Sequence, residues 1–113
     1  MGYELHITKK KNWFDEGSDI SEQEWRDYVA SDSEMKITGF AELPTPRGTT
    51  IRIESPLMAE WCGHSKGGVV WFDFRDGHVN LNNPDEEIIG KMQRIAKALG
   101  ARVQGDEGEF YDA

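Results

Sequence analysis

Polar and hydrophobic residues alternate over residues 3–8, with Tyr3, Leu5 and Ile7 on one side and Glu4, His6 and Thr8 on the other. A period of two belongs to a strand with one buried face. After residue 20 the period changes, because Trp25, Tyr28 and Val29 recur at spacings of three and one, the narrow apolar stripe of a helix. The start of that helix is marked twice. Ser21 and Glu24 form an S-x-x-E capping box, and Ile20 and Trp25 occupy the two positions of a hydrophobic staple. The pattern stops near Asp32. β-Branched residues return over 37–43 and 49–54, separated by Pro44 and Pro46, which cannot sit inside a paired strand. The pair reads as a hairpin with an exposed proline-rich loop.

Residues 57–62 fit either a short strand or a helical turn, and the run Gly-His-Ser-Lys-Gly-Gly at 63–68 reads as a loop. The strongest hairpin signal spans 69–81, where Asp76-Gly77 is a two-residue turn that supplies positive φ at both central positions. That turn sets a register. Phe74 faces Val79 and Phe72 faces Leu81 on the core side, whereas Asp73 faces Asn80 and Arg75 faces His78 on the outer side, with Trp71 in the same outer row. A second helix is predicted from Asn83 as N-cap, Pro84 at the first position, Asp85, Glu86 and Glu87 in the first turn, and Gly100 after its end. Ile88, Ile89, Met92, Ile95, Ala96 and Leu99 form its buried stripe. Residues 101–104 read as a last strand, followed by an acidic turn.

The order β-α-β-β-β-β-α-β predicts an α+β fold, a mainly antiparallel sheet with two helices packed on one face. At 113 residues the chain is expected to form one domain over 1–113. One cysteine, Cys62, excludes an internal disulfide, and no apolar run reaches the roughly 18 residues of a membrane span. The N-terminal residues also lack the apolar core of a secretory signal. These features are expected of a cytoplasmic protein that does not enter a membrane.

Charge changes the picture more than composition does. Of the formal −8, residues 13–35 hold eight carboxylates against the single base Arg26, and residues 106–113 hold four against none. The rest of the chain is slightly basic. Charge gathered in this way steers oppositely charged partners and repels nucleic acid, for which Lys9-Lys10-Lys11 is the only basic run. Trp13 and Phe14 lie among these acids, and Trp71 lies on the polar face of its strand, so aromatic anchors and charge occur together. The expected partner-binding set is Trp13, Phe14, Asp15, Glu16, Asp19, Glu22, Trp71, Asp106, Glu107 and Glu109. Trp25 reads as the core half of the staple.

Catalytic motifs are absent. Cys62-x-His64, with His6 and His78 elsewhere, is the best metal-like set, but it lacks the paired ligand spacing of zinc sites. Ser65 or Cys62 with His64 and Asp73 has no G-x-S-x-G frame, and the glycine-rich loop does not match a phosphate-binding pattern. The acidic turn at 105–109 lacks the spacing of a calcium loop. No catalytic residue, metal or cofactor is therefore assigned. The alternative to a binding protein is a small enzyme or metal-binding protein using the Cys62–His64 loop.

Residues Tyr3 to Thr8 followed by Trp13-Phe14, then Ile20-Ser21 with Glu24-Trp25, resemble a set of small acidic bacterial proteins of unassigned function. Leu99-Gly100-Ala101, Val103 to Glu109 and Tyr111 carry the same resemblance at the other end of the chain. In size and charge these proteins are similar to immunity proteins, which neutralise bacterial toxins, many of them basic nucleases. The resemblance implies a non-enzymatic protein with a basic, toxin-like protein partner and no catalytic residues.

Overall fold

The computed structural model describes residues 3–17 and 19–111. Eight strands and two helices are described, in the order β1 (Glu4–Thr8), α1 (Glu22–Ser31), β2 (Met35–Ile37), β3 (Phe40–Pro44), β4 (Thr50–Glu54), β5 (Ala59–Trp61), β6 (Val70–Arg75), β7 (His78–Asn82), α2 (Glu86–Leu99) and β8 (Arg102–Gly105). Six strands form one antiparallel sheet in the order β2-β5-β6-β7-β1-β8, and β3 and β4 form a separate two-stranded sheet. The fold is α+β with a mainly antiparallel sheet, as the periodicity predicts. Two elements are finer than the sequence pattern. Gly39, at φ 78°, divides the stretch 37–43 into the end of β2 and the start of β3, and the ambiguous stretch 57–62 contains β5.

The capping box is present in full: Glu24 N–H donates to Ser21 Oγ at 3.0 Å and Ser21 N–H donates to Glu24 Oε1 at 3.0 Å. The Asp76-Gly77 turn has φ of 56° and 84°, and the register it imposes pairs Asp73 with Asn80, Phe74 with Val79 and Arg75 with His78. The start of α2 differs from expectation. Asn83 is held by β1 instead, its N–H bonded to the Tyr3 carbonyl at 2.8 Å and its side chain to the Tyr3 N–H at 2.9 Å, with φ at 48°. The cap passes to Asp85, whose carboxylate accepts from Ile88 N–H at 2.8 Å, and Pro84 precedes the helix. Gly100 closes α2 in the left-handed conformation, φ 68°.

Alternation along the strands places Leu5, Ile7, Met35, Ala59, Trp61, Phe72, Phe74, Val79, Leu81 and Val103 in one core with Trp25 and Val29 of α1 and Met92, Ile95 and Ala96 of α2. Both helices therefore cover the same sheet face. Trp25 is fully buried, stacked on Phe74 with ring centroids 5.7 Å apart, and its indole N–H donates to the Leu57 carbonyl at 2.9 Å. Where the helices meet, the Lys91 ammonium is buried against the Asp32 carboxylate, which also accepts from Tyr28 Oη at 2.6 Å. Burial works to raise the Asp32 pKa, but these hydrogen bonds prevail and hold it below the usual carboxylate value. None of the described helices is long and apolar enough to cross a membrane.

Two outcomes follow from this packing. Trp25→Ala removes a fully buried indole and leaves the Leu57 carbonyl unpaired, so a loss of about 3–5 kcal/mol is expected in denaturant unfolding. A depressed carboxylate pKa contributes stability that is present above the unfolded value, about 3.9, and is lost as pH falls through the folded one. Unfolding measured from pH 6 to pH 2 should show a steep acid decline that Asp32→Asn makes shallower; an equally steep decline in the variant would remove Asp32 from the account.

Candidate functional site

The sheet face away from the helices is formed by the other half of the strand pattern. Pairing of β1 with β7 and β8 sets His6 opposite Asn80 on one side and Gln104 on the other. Such a polar face is normally wet. Here His6, Thr8 and Gln104 are fully buried, because the loop at 9–17 and the turn at 105–110 lie over them. Burial obliges each of these groups to find hydrogen-bond partners.

His6 Nδ1 lies 2.6 Å from Asn80 Oδ1, and Nε2 lies 2.8 Å from Asp106 Oδ1 and 3.8 Å from Glu4 Oε1. Its ring is stacked under the Trp13 indole, centroids 3.9 Å apart and planes 15° from parallel. The second Asp106 oxygen accepts from the Glu4 N–H at 2.9 Å. Burial opposes ionisation of Asp106, but the bonds from His6 and Glu4 outweigh it and keep its pKa low. Gln104 joins the two covering segments: its Oε1 accepts from Trp13 N–H at 2.7 Å, and its amide donates to Asn12 Oδ1 at 3.0 Å and to the Gly108 carbonyl at 2.9 Å. Further along the row Asp19 accepts from Thr8 Oγ1 and Lys9 N–H, both at 2.6 Å. His78 packs edge-on against His6 with centroids 5.7 Å apart, and burial, reinforced by the charge of His6, lowers its pKa.

The first part of one acidic segment, residues 13–19, and the acidic turn after β8 are therefore brought together on the sheet face away from the helices, whereas the acids from Glu22 to Glu34 belong to α1 and the turn after it. The predicted partner-binding residues divide within that arrangement. Trp13 is half-buried on His6, whereas Phe14 beside it is 59% exposed. Glu16 and Glu107 are exposed to solvent, and Glu22 is exposed in the first turn of α1. Asp15 is tied to its own loop, accepting from Asn12 N–H at 3.2 Å, and Glu109 accepts from Tyr3 Oη. Asp19 is inward, its side chain only 3% exposed, and serves the loop rather than the surface. Trp71 stands apart, half-buried with its ring 6.2 Å from Phe40 of the small sheet. Asp112 lies outside the described residues.

Cys62, His64 and Ser65 are not gathered with the other histidines. His64 Nε2 is bonded to the α2 cap Asp85 at 2.8 Å and its Nδ1 accepts from Lys66 N–H at 3.1 Å, so both ring nitrogens are occupied. Ser65 binds Glu87 through both N–H and Oγ, and Cys62 Sγ lies against the Glu34 carbonyl at 3.4 Å. This loop anchors the start of α2. Sequence reasoning missed Asn80, Gln104, Asn12 and Tyr3 as builders of the polar cluster. The alternation already placed His6 and Asn80 on outer faces; what it lacked was the insertion of β1 between β7 and β8.

Comparison with known proteins yields no match: no family model, curated protein or solved structure aligns with the chain. The functional reading rests on the site itself.

Gln104→Leu keeps most of the volume but strands three partly buried polar partners, so stability should drop by about 1–3 kcal/mol. Hydrogen exchange followed by mass spectrometry should show faster exchange in both 12–15 and 105–110. Unchanged exchange in either segment would mean that Gln104 does not clamp them together.

Proposed function

We propose that this protein is a non-enzymatic protein-binding module that engages a basic protein partner through the surface built from its two acidic segments, in the manner of an immunity protein neutralising a basic toxin. The observation that carries this reading is the convergence of the loop at 12–17 and the turn at 105–109 over the buried His6–Gln104 scaffold, with the exposed Phe14 ring among exposed acids. The one basic run offsets them only in part, since Lys11 is exposed beside the loop. The Lys9 ammonium is paired with Glu24, and Lys10 is turned toward Asp19 and the Asp15 carbonyl. What remains at the surface is an excess of negative charge around an aromatic anchor, a combination that speeds encounter with a cationic surface and then supplies apolar contact.

Glu16, Glu107 and Glu22 provide the steering charge in this reading, Phe14 provides the contact, and Asp19, Asp106 and Gln104 hold the surface in shape. Trp71 and the small sheet lie outside the interface. The same charge disfavours nucleic acid and anionic membranes as partners. A reducing cytoplasm suits the lone exposed thiol of Cys62. An enzyme using Cys62 and His64 gains no comparable support, because His64 has no free nitrogen to act as a base.

Tagged protein should retain one basic partner from host lysate at low salt and release it over a salt gradient, with mass spectrometry naming it. The double substitution Glu16→Lys and Glu107→Lys is expected to slow association and flatten the salt dependence, and Phe14→Ala to weaken binding by about 1–2 kcal/mol. A partner retained equally by both variants would place the interface elsewhere.

A further inference from the structure

The geometry points to a divalent transition-metal site formed by Glu4, His6 and Asp106, a function independent of the partner-binding reading. Glu4 and His6 are two apart on β1 and share a face, and the pairing of Leu5 with Gly105 delivers Asp106 to the same spot. One ligand atom from each of the three lies within 4.8 Å of the others, and this is the only such group of three or more among the described residues. Its chemistry is one imidazole and two carboxylates, a mixed nitrogen and oxygen set that suits zinc.

The surroundings have the form of a ligand-orienting shell rather than of a chance acidic patch. His6 is fully buried, and its Nδ1 is engaged by Asn80 Oδ1 at 2.6 Å, which aims Nε2 at the two carboxylates. Asp106 is held by the Glu4 N–H through Oδ2, which leaves Oδ1 toward Nε2. A partner on the far nitrogen and a partner on the far carboxylate oxygen are the usual means of fixing metal ligands. Three tetrahedral ligands of zinc stand roughly 3.3 Å apart, given bonds of about 2.0–2.1 Å. The observed separations of 2.8 Å and 3.8 Å from Nε2 bracket that value. Side chains of Glu4 and Asp106 are each about one-third exposed, at 37% and 36%, so an ion reaches the site from solvent and keeps a water as fourth ligand. The adjacent His78 is nine-tenths buried, packs on the His6 ring, and has an Nδ1 without a hydrogen-bond partner among the described residues.

Titrating zinc into chelator-treated full-length protein by calorimetry tests this directly. One equivalent should bind. Asp106→Asn and Glu4→Gln, both at partly exposed positions, should each weaken binding by tenfold or more while the circular dichroism spectrum stays unchanged, and Asn80→Ala should weaken it by about 10–100-fold. Cys62→Ser should leave it unaltered. Absence of stoichiometric binding, wild-type affinity in the two carboxylate variants, or loss of zinc in Cys62→Ser would each overturn the assignment. Retention of the basic partner by zinc-free protein would leave the partner-binding reading standing whichever way this result falls.

Discussion

A fully buried imidazole must have both ring nitrogens answered, and that requirement at His6 organises one whole side of the molecule. Asn80 answers one nitrogen from the neighbouring strand, Asp106 answers the other from a turn at the far end of the chain, and Trp13 closes over the ring. Gln104 makes the parallel arrangement one strand away, with all of its polar atoms used to bind the covering segments. The cover is needed because the groups are polar and buried, and the groups are satisfied because the cover supplies the partners. Neither half is stable without the other.

The two faces of the sheet therefore hold together by different physics. Toward the helices, Trp25, Trp61, Phe72 and Ile95 pack by apolar burial, with the Lys91–Asp32 pair at the seam where α1 and α2 meet. Such packing tolerates conservative change in shape. Away from the helices, directional hydrogen bonds fix the covering loop and turn in place, which tolerates little. This division explains how segments rich in carboxylates and poor in apolar residues are held in a defined arrangement and still present Phe14 and several acids outward.

Sequence alone made the architecture legible wherever the decisive interaction was local. Ser21 and Glu24 announced α1, and Asp76-Gly77 fixed the register of β6 and β7, since caps and tight turns depend on residues within a few positions. Asn83 shows the limit of that reading. As a cap it was as good a choice as Asp85, but Tyr3, eighty residues away, captured both its backbone and its side chain. The polar cluster was illegible for the same reason, since His6, Asn80, Gln104 and Asp106 become neighbours only through strand order. Among the acids, counting charge located the two segments correctly, yet it could not separate Asp19, which is turned inward, from Glu16, which is not.

The placement of β1 between β7 and β8 also bears on how the chain acquires its structure as it is made. Leu5 is the partner of Leu81 and of Gly105, so β1 waits for almost a hundred further residues before its second edge is filled. Contacts this far apart are slow to form because loop closure must be achieved before they contribute. Until β8 emerges, β1 can pair only with β7, and its other edge is open to other chains. Completion of the sheet is thus a late step, and the exposure of that edge to misassembly is set by the time between translating residue 82, where β7 ends, and translating residue 105.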